Sequence, residues 1–214
     1  MTTTTESLAD QLLASGLRVG ARLVELRHAG ILTPAEFERL ALDVLVAARD
    51  QAAGMALRHF HAAHYAALGT TATVAAPAPT AAAAARHRPR LAEAVRTVMT
   101  GPTDEIDMRL SRLARSELAD GAQTEYDRLI RNTPTVRGWT RGMESDACQL
   151  CRWWWREGRV WPADHTMPTH PGCSCTPVPV FVPADQIPRV SRAAQYASAQ
   201  RRAAANRAMK GKIA

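Results

Sequence analysis

All four cysteines of this chain fall within thirty residues, DACQLCRWWWREGRVWPADHTMPTHPGCSC, from Asp146 to Cys175. Four of its five tryptophans and two of its seven histidines lie there too. No other feature limits the fold so tightly. Cys148-x2-Cys151 is followed, after 18 residues, by His170-x2-Cys173-x-Cys175. Two residues between cysteines let both sulfurs reach one ion around a tight knuckle, and zinc prefers thiolate and imidazole donors. Pro171-Gly172 favours the turn that a second knuckle needs.

The spacing therefore predicts a two-knuckle zinc site drawn from Cys148, Cys151, His170, Cys173 and Cys175. Cys148 and Cys151 form one half. The other two ligands come from His170, Cys173 and Cys175, with His165 a more remote choice. Any such set supplies four protein ligands to one ion and leaves no position for water, so the zinc is expected to be structural. Two other uses of the cysteines fit the sequence less well. MTTTTESLAD has neither the basic region nor the apolar stretch of a secretory signal, so the chain is expected in a cytosol-like compartment, where structural disulfides rarely persist. Cys148-Gln-Leu-Cys151 also lacks the strand–CxxC–helix setting of a thioredoxin-like redox pair.

Upstream, aromatics are sparse, so the body must pack with Ala, Leu and Val, which suits helices. Apolar residues recur at helical spacing from Leu8 to His28, with Leu8, Leu12, Leu17 and Leu23 among them, and Gly30 ends the run. Thr33, Pro34 and Glu36 form a capping box that opens a second helix reaching Leu68, with Gly54 a weak spot. Together these predict a helical hairpin over 1–68. Residues 69–90 are rich in Pro, Ala and Thr and read as a linker, although the Ala81–Ala85 run is able to begin a helix. A helical region is expected over 91–135, the metal module over 136–183 and a basic, helix-prone tail over 184–214. The fold class is mainly α, with a small β-rich module stapled by zinc. His61 and His64 share a helix face, but no acidic third ligand lies near them in sequence, so they read as packed or solvated side chains. No apolar run reaches the roughly 18–20 residues needed to span a bilayer, so no membrane is expected.

The net charge of +7 is unevenly placed. Residues 1–136 hold 15 Arg against 15 Asp and Glu, whereas residues 137–214 hold 12 Lys and Arg against 5 acids. A basic C-terminal third suits a polyanionic neighbour such as DNA. Three consecutive tryptophans, Trp153–Trp155, cannot all face inward. With Arg152, Arg156 and Arg159 interleaved they suit a core plus a protein interface better than base stacking.

The segment GWTRGMESDACQLCRWWWREGRVWPADHTMPTHPGCSCTPVPVFV resembles the C-terminal signature of the phage Mu-F-like head morphogenesis, or minor capsid, proteins of tailed bacteriophages. The shared features are Cys148 and Cys151, the Gly158-Arg159-Val160-Trp161 step, His170-x2-Cys173-x-Cys175 and the Thr176–Phe181 exit. The resemblance implies a low-copy virion protein at the capsid interior and portal vertex, present in the host cytoplasm during assembly. It would act in head assembly or DNA packaging, with portal or major capsid protein as partner and packaged DNA alongside. Two enzymatic alternatives stand beside it. Asp164-His165 resembles the opening of a His-Asn-His nuclease, without the later Asn and His that such a site needs. Some relatives are called capsid maturation proteases, yet no nucleophile beside a base is legible here, so no catalytic residue is assigned.

Overall fold

The computed structural model describes residues 7–70, 72, 80–182 and 186. The protein is mainly α. Helices α1 (Leu8–His28), α2 (Pro34–Leu68), α3 (Thr80–Met99) and α4 (Ile106–Asn132) precede strand β1 (Val136–Gly142). Then come a two-turn helix α5 (Gln149–Trp155), a short strand β2 (Trp161–Pro162) and β3 (Thr176–Phe181). The three strands form an antiparallel sheet in the order β2-β1-β3. The described residues from Ser7 to Val182 form one compact unit, and the expected basic tail over 184–214 lies, but for Gln186, outside the described residues. No described helix is long and apolar enough to cross a membrane.

Local chemistry sets the first two helices. The Ser7 hydroxyl caps α1 by accepting from the Asp10 N–H. At α2 the Thr33 N–H donates to Glu36 Oε2 at 2.8 Å and the Glu36 N–H to Thr33 Oγ1 at 3.4 Å, which is the expected capping box. α2 continues through Gly54 without a break and stops where Gly69 takes a left-handed φ of 69°. Its buried His64 is a packed side chain, as its sequence context implied. His64 Nδ1–H donates to the Thr70 carbonyl at 2.7 Å, and Thr135 Oγ1 lies 3.0 Å from Nε2.

α4 is the shared element, antiparallel to α1 and parallel to α2. The face α1 turns to it keeps Leu8, Leu12 and Leu23 of the row that the periodicity favours, but its middle is glycine. Leu17 is half-exposed, and the contact is made by Gly16 and Gly20, one turn apart. A Cβ at Gly16 would come within 2.9 Å of Arg115 Cα, and one at Gly20 within 2.9 Å of Ser111 Cα. Only the missing side chains let the two backbones approach so closely. Gly121 serves α2 likewise, since its Cβ would stand 2.6 Å from the Arg49 carbonyl oxygen.

The expected linker is too long by its second half. α3 begins at Thr80 and carries Pro89 inside it. The alanine run has the highest helix propensity available, and tertiary ties offset the proline. Arg88 donates to Asp43 Oδ1 at 2.6 Å and Arg90 grips Glu117 through both terminal nitrogens at 2.8 and 2.6 Å. Glu117 is buried and also pairs with the buried Arg49 at 3.2 Å, so α2, α3 and α4 meet at one ionic junction. Residues 73–79 of the linker lie outside the described residues.

Two apolar clusters fill the body. One holds Phe37, Leu45, Leu91, Val95 and Leu110 between α1, α2, α3 and α4. The other runs from Leu12 and Phe60 through Tyr126 and Ile130 to Trp139 of β1 and Met167 of the module. The helical core thus continues into the sheet without a seam. Substituting Gly16 by Leu is expected to destabilise the protein by about 1–3 kcal/mol through overpacking against Arg115. Urea unfolding would measure this, and a change below about 0.5 kcal/mol would show that the α1–α4 contact is looser than described.

Candidate metal centre

The first knuckle is made by the start of a helix. The Glu144 carbonyl accepts from the Ala147 N–H at 3.1 Å, turning the chain into Cys148. Cys148 sits at the extended N-cap of α5, and Cys151 lies in its first turn. The second knuckle is the His170–Cys173 turn, closed by the Cys173 N–H donating to the His170 carbonyl at 3.1 Å. Gly172 takes φ 82° there, a value that L side chains rarely adopt.

The two knuckles converge. Cys148 Sγ and Cys151 Sγ each lie 3.2 Å from His170 Nε2, and Cys151 Sγ lies 3.4 Å from Cys173 Sγ. Cys148, Cys151 and His170 form one group able to hold a metal ion, and Cys151, Cys173 and Cys175 a second, with all donor atoms of each group within 4.8 Å of one another. Cys151 belongs to both. All five donors singled out from the sequence therefore meet, and all four cysteines are free thiols. His165 is elsewhere: its ring stacks on Trp161 at 4.6 Å and on Trp139 at 6.2 Å, away from the sulfurs.

The donor set suits a soft or borderline cation. No carboxylate joins either group, so hard cations that need oxygen are poorly served. The His170 Nδ1–H donates to the Pro171 carbonyl at 3.2 Å, which leaves the Nε2 lone pair directed at Cys148 and Cys151. Burial pushes the Cys151 thiol up to about 12, and Cys175 adds to this, whereas the hydrogen bond with Cys173 and the nearby Arg141 charge oppose it. Cys175 is raised as well, first by its hydrogen bond with Cys173 and then by burial. These sulfurs keep their protons at neutral pH until a cation displaces them, so acid weakens a metal site built from them.

α4 supports the second knuckle through the backbone. Gln123 Nε2 donates to the carbonyls of Cys173 at 3.2 Å and Cys175 at 2.7 Å. Ser116 Oγ accepts from the Gly172 N–H at 2.8 Å, and Arg115 donates to the Gly172 carbonyl at 3.1 Å. Periodicity places these α4 residues on a helix but does not say what they face, and the sequence reading assigned them no role. Arg141 was also passed over. It lies two residues after Trp139 on β1, and strand alternation puts both on the buried face.

The tryptophans divide in a way the sequence only half implies. The module core is Trp139, 2% exposed, rather than any of the three consecutive rings. Trp161 stacks on it at 6.0 Å. Trp153 is 57% and Trp155 37% exposed, and Arg156 lies over the Trp153 ring at 4.1 Å. Three successive left-handed residues, Arg156, Glu157 and Gly158, end α5 and fold Arg156 back onto that ring. Two of them carry side chains, a conformation that costs of order 1–3 kcal/mol each and persists only when its surroundings impose it.

No family model matches this chain, and no curated protein or solved structure does so either. Removing the Gln123 amide should loosen the second knuckle while sparing the helices. Gln123→Ala is expected to weaken metal binding about tenfold, as loss of an outer-shell partner does, with helix content by circular dichroism unchanged. Equal affinity in competition with a chromophoric chelator would remove Gln123 from the site.

Proposed function

We propose that the Cys/His cluster holds one structural zinc ion and that the protein is a minor capsid, or head morphogenesis, protein of a tailed bacteriophage. The observation that carries this reading is the convergence of Cys148, Cys151, His170, Cys173 and Cys175 in a segment with the Mu-F-like signature. Four of those donors close the coordination sphere, so the ion gives stability instead of opening a position for substrate. The helical body is the surface offered to portal or major capsid protein. The basic C-terminal third lies against packaged DNA. The protein belongs to the capsid interior near the portal vertex and passes through the host cytoplasm during assembly.

The exposed Trp153 and Leu150, beside Arg152 and Arg156, support an assembly role. Isolated exposed apolar residues are ordinary, but tryptophan and arginine together are what protein interfaces concentrate. Asp164 and His165 take no part in chemistry under this reading. His165 is held in an aromatic stack, and its carbonyl accepts from Trp139 Nε1 at 2.7 Å.

Two measurements test the proposal separately. Protein purified without added metal should contain close to one zinc per chain, and Cys148→Ser should abolish it; a metal-free protein with four titratable thiols would end the zinc assignment. Capsids purified from an infected host should contain the chain at low copy, and a chain found only in the unassembled fraction would remove the virion role. DNA cleavage that requires a divalent metal and is lost in His165→Ala would replace the structural reading with a nuclease.

A further inference from the structure

Arg141 is 3% exposed, on the strand that runs beside the cysteine knuckles. Its Nη1 lies 3.8 Å from Cys151 Sγ, its Nη2 donates to the Pro168 carbonyl, and its guanidinium carbon stands 5.2 Å from the centre of the Trp154 ring. Its Nε is buried without a hydrogen-bond partner among the described residues. A guanidinium cannot shed its proton to escape burial, so a buried arginine needs an anion close by. Among the described residues no carboxylate lies within ion-pair distance of it. The buried Glu144, three residues on, is matched by Arg115 at 3.9 Å. What faces the Arg141 charge is sulfur.

The charges of the centre then discriminate between its two ligand groups. A dipositive ion held by three thiolates and one neutral imidazole carries a single negative charge, and four thiolates make it two. One guanidinium balances the first and leaves one negative charge of the second uncompensated beside the buried Cys151, Cys173 and Cys175, where an unpaired charge is costly. We propose that Arg141 is the built-in counter-charge of the metal centre and that it selects a three-thiolate, one-imidazole ion. His170 is then a ligand alongside Cys148 and Cys151, and one of Cys173 and Cys175 remains a thiol. Arg141 binds no metal itself; it is a positioning residue acting through Cys151. This rests on the reading of the cluster as a zinc site.

The test uses the full chain loaded with zinc. X-ray absorption on the unmodified protein should show three sulfurs at about 2.3 Å and one nitrogen at about 2.0–2.1 Å. Four sulfurs would overturn the proposal. Chelator competition should show Arg141→Met weakening zinc by about 10–100-fold, with Arg141→Lys, which keeps the charge, recovering most of the loss. The sulfur-to-metal charge-transfer bands of the cobalt form should also move in Arg141→Met and stay in place in Arg141→Lys. Equal affinity of Arg141→Met and the unmodified chain, or Arg141→Lys as weak as Arg141→Met, would reduce Arg141 to packing against Trp154. Where Arg141→Met does not fold, Arg141→Lys within tenfold of the unmodified chain supports the proposal and a loss beyond a hundredfold overturns it. An unmodified chain that binds no zinc defeats the metal reading itself, whereas zinc binding indifferent to Arg141 defeats only this inference.

Discussion

The pair of hydrogen bonds from Gln123 to the Cys173 and Cys175 carbonyls joins two parts of the protein that are built on different principles. On one side is a helical body held by apolar packing and glycine-mediated contact; on the other is a module with few apolar residues and a cluster of soft donors. A backbone carbonyl has one position once its neighbours are set, so fixing these two fixes the two cysteines that carry them. Ser116 and Arg115 do the same for Gly172. One face of α4 therefore orients the second knuckle through the backbone, and such preorganisation lowers the ordering cost of any ligand the cluster takes.

The same helix answers to α1 and α2. Gly16, Gly20 and Gly121 let three backbones crowd together, which leaves Arg115, Ser116 and Gln123 free to reach the module. A helix bundle separated by ordinary side chains would hold α4 at a different distance from α1. Trp139 and Met167 extend the apolar core into the module, so apolar packing ties the module to the body. That revises the expectation that the consecutive tryptophans supply the core of the module. Its principal ring belongs to the common core, and two of the three consecutive rings face outward.

Helix ends and the Cys/His cluster were legible because each is written in local chemistry. Gly30 just past the end of α1, and Thr33 with Glu36 at the start of α2, act through contacts about three residues long. The Cys and His spacings name the donors because two-residue gaps admit few geometries. What local chemistry could not convey was whatever depends on a distant partner. The two glycines in the middle of the buried α1 face are invisible to a search for large apolar residues. α3 survives Pro89 because Asp43 and Glu117 hold its arginines, and those acids lie 45 and 27 residues away. Arg141 looked like one basic residue among many until the strand placed it beside sulfur.

The first turn of α1 reaches across to the module, where Asp10 Oδ1 accepts from the Ser145 N–H at 2.7 Å, 135 residues away in the chain. Hydrogen bonds from Ser7 and Ser145 hold the Asp10 carboxyl below its ordinary range. This contact sets an order in time. During synthesis α1 emerges first and then waits, because its final neighbours on α4 and beyond Gly142 are still inside the ribosome. Contacts of such long sequence separation close late and slowly. The oldest stretch of the nascent body is thus among the last to be settled, when the entry to the first cysteine knuckle comes to rest against it.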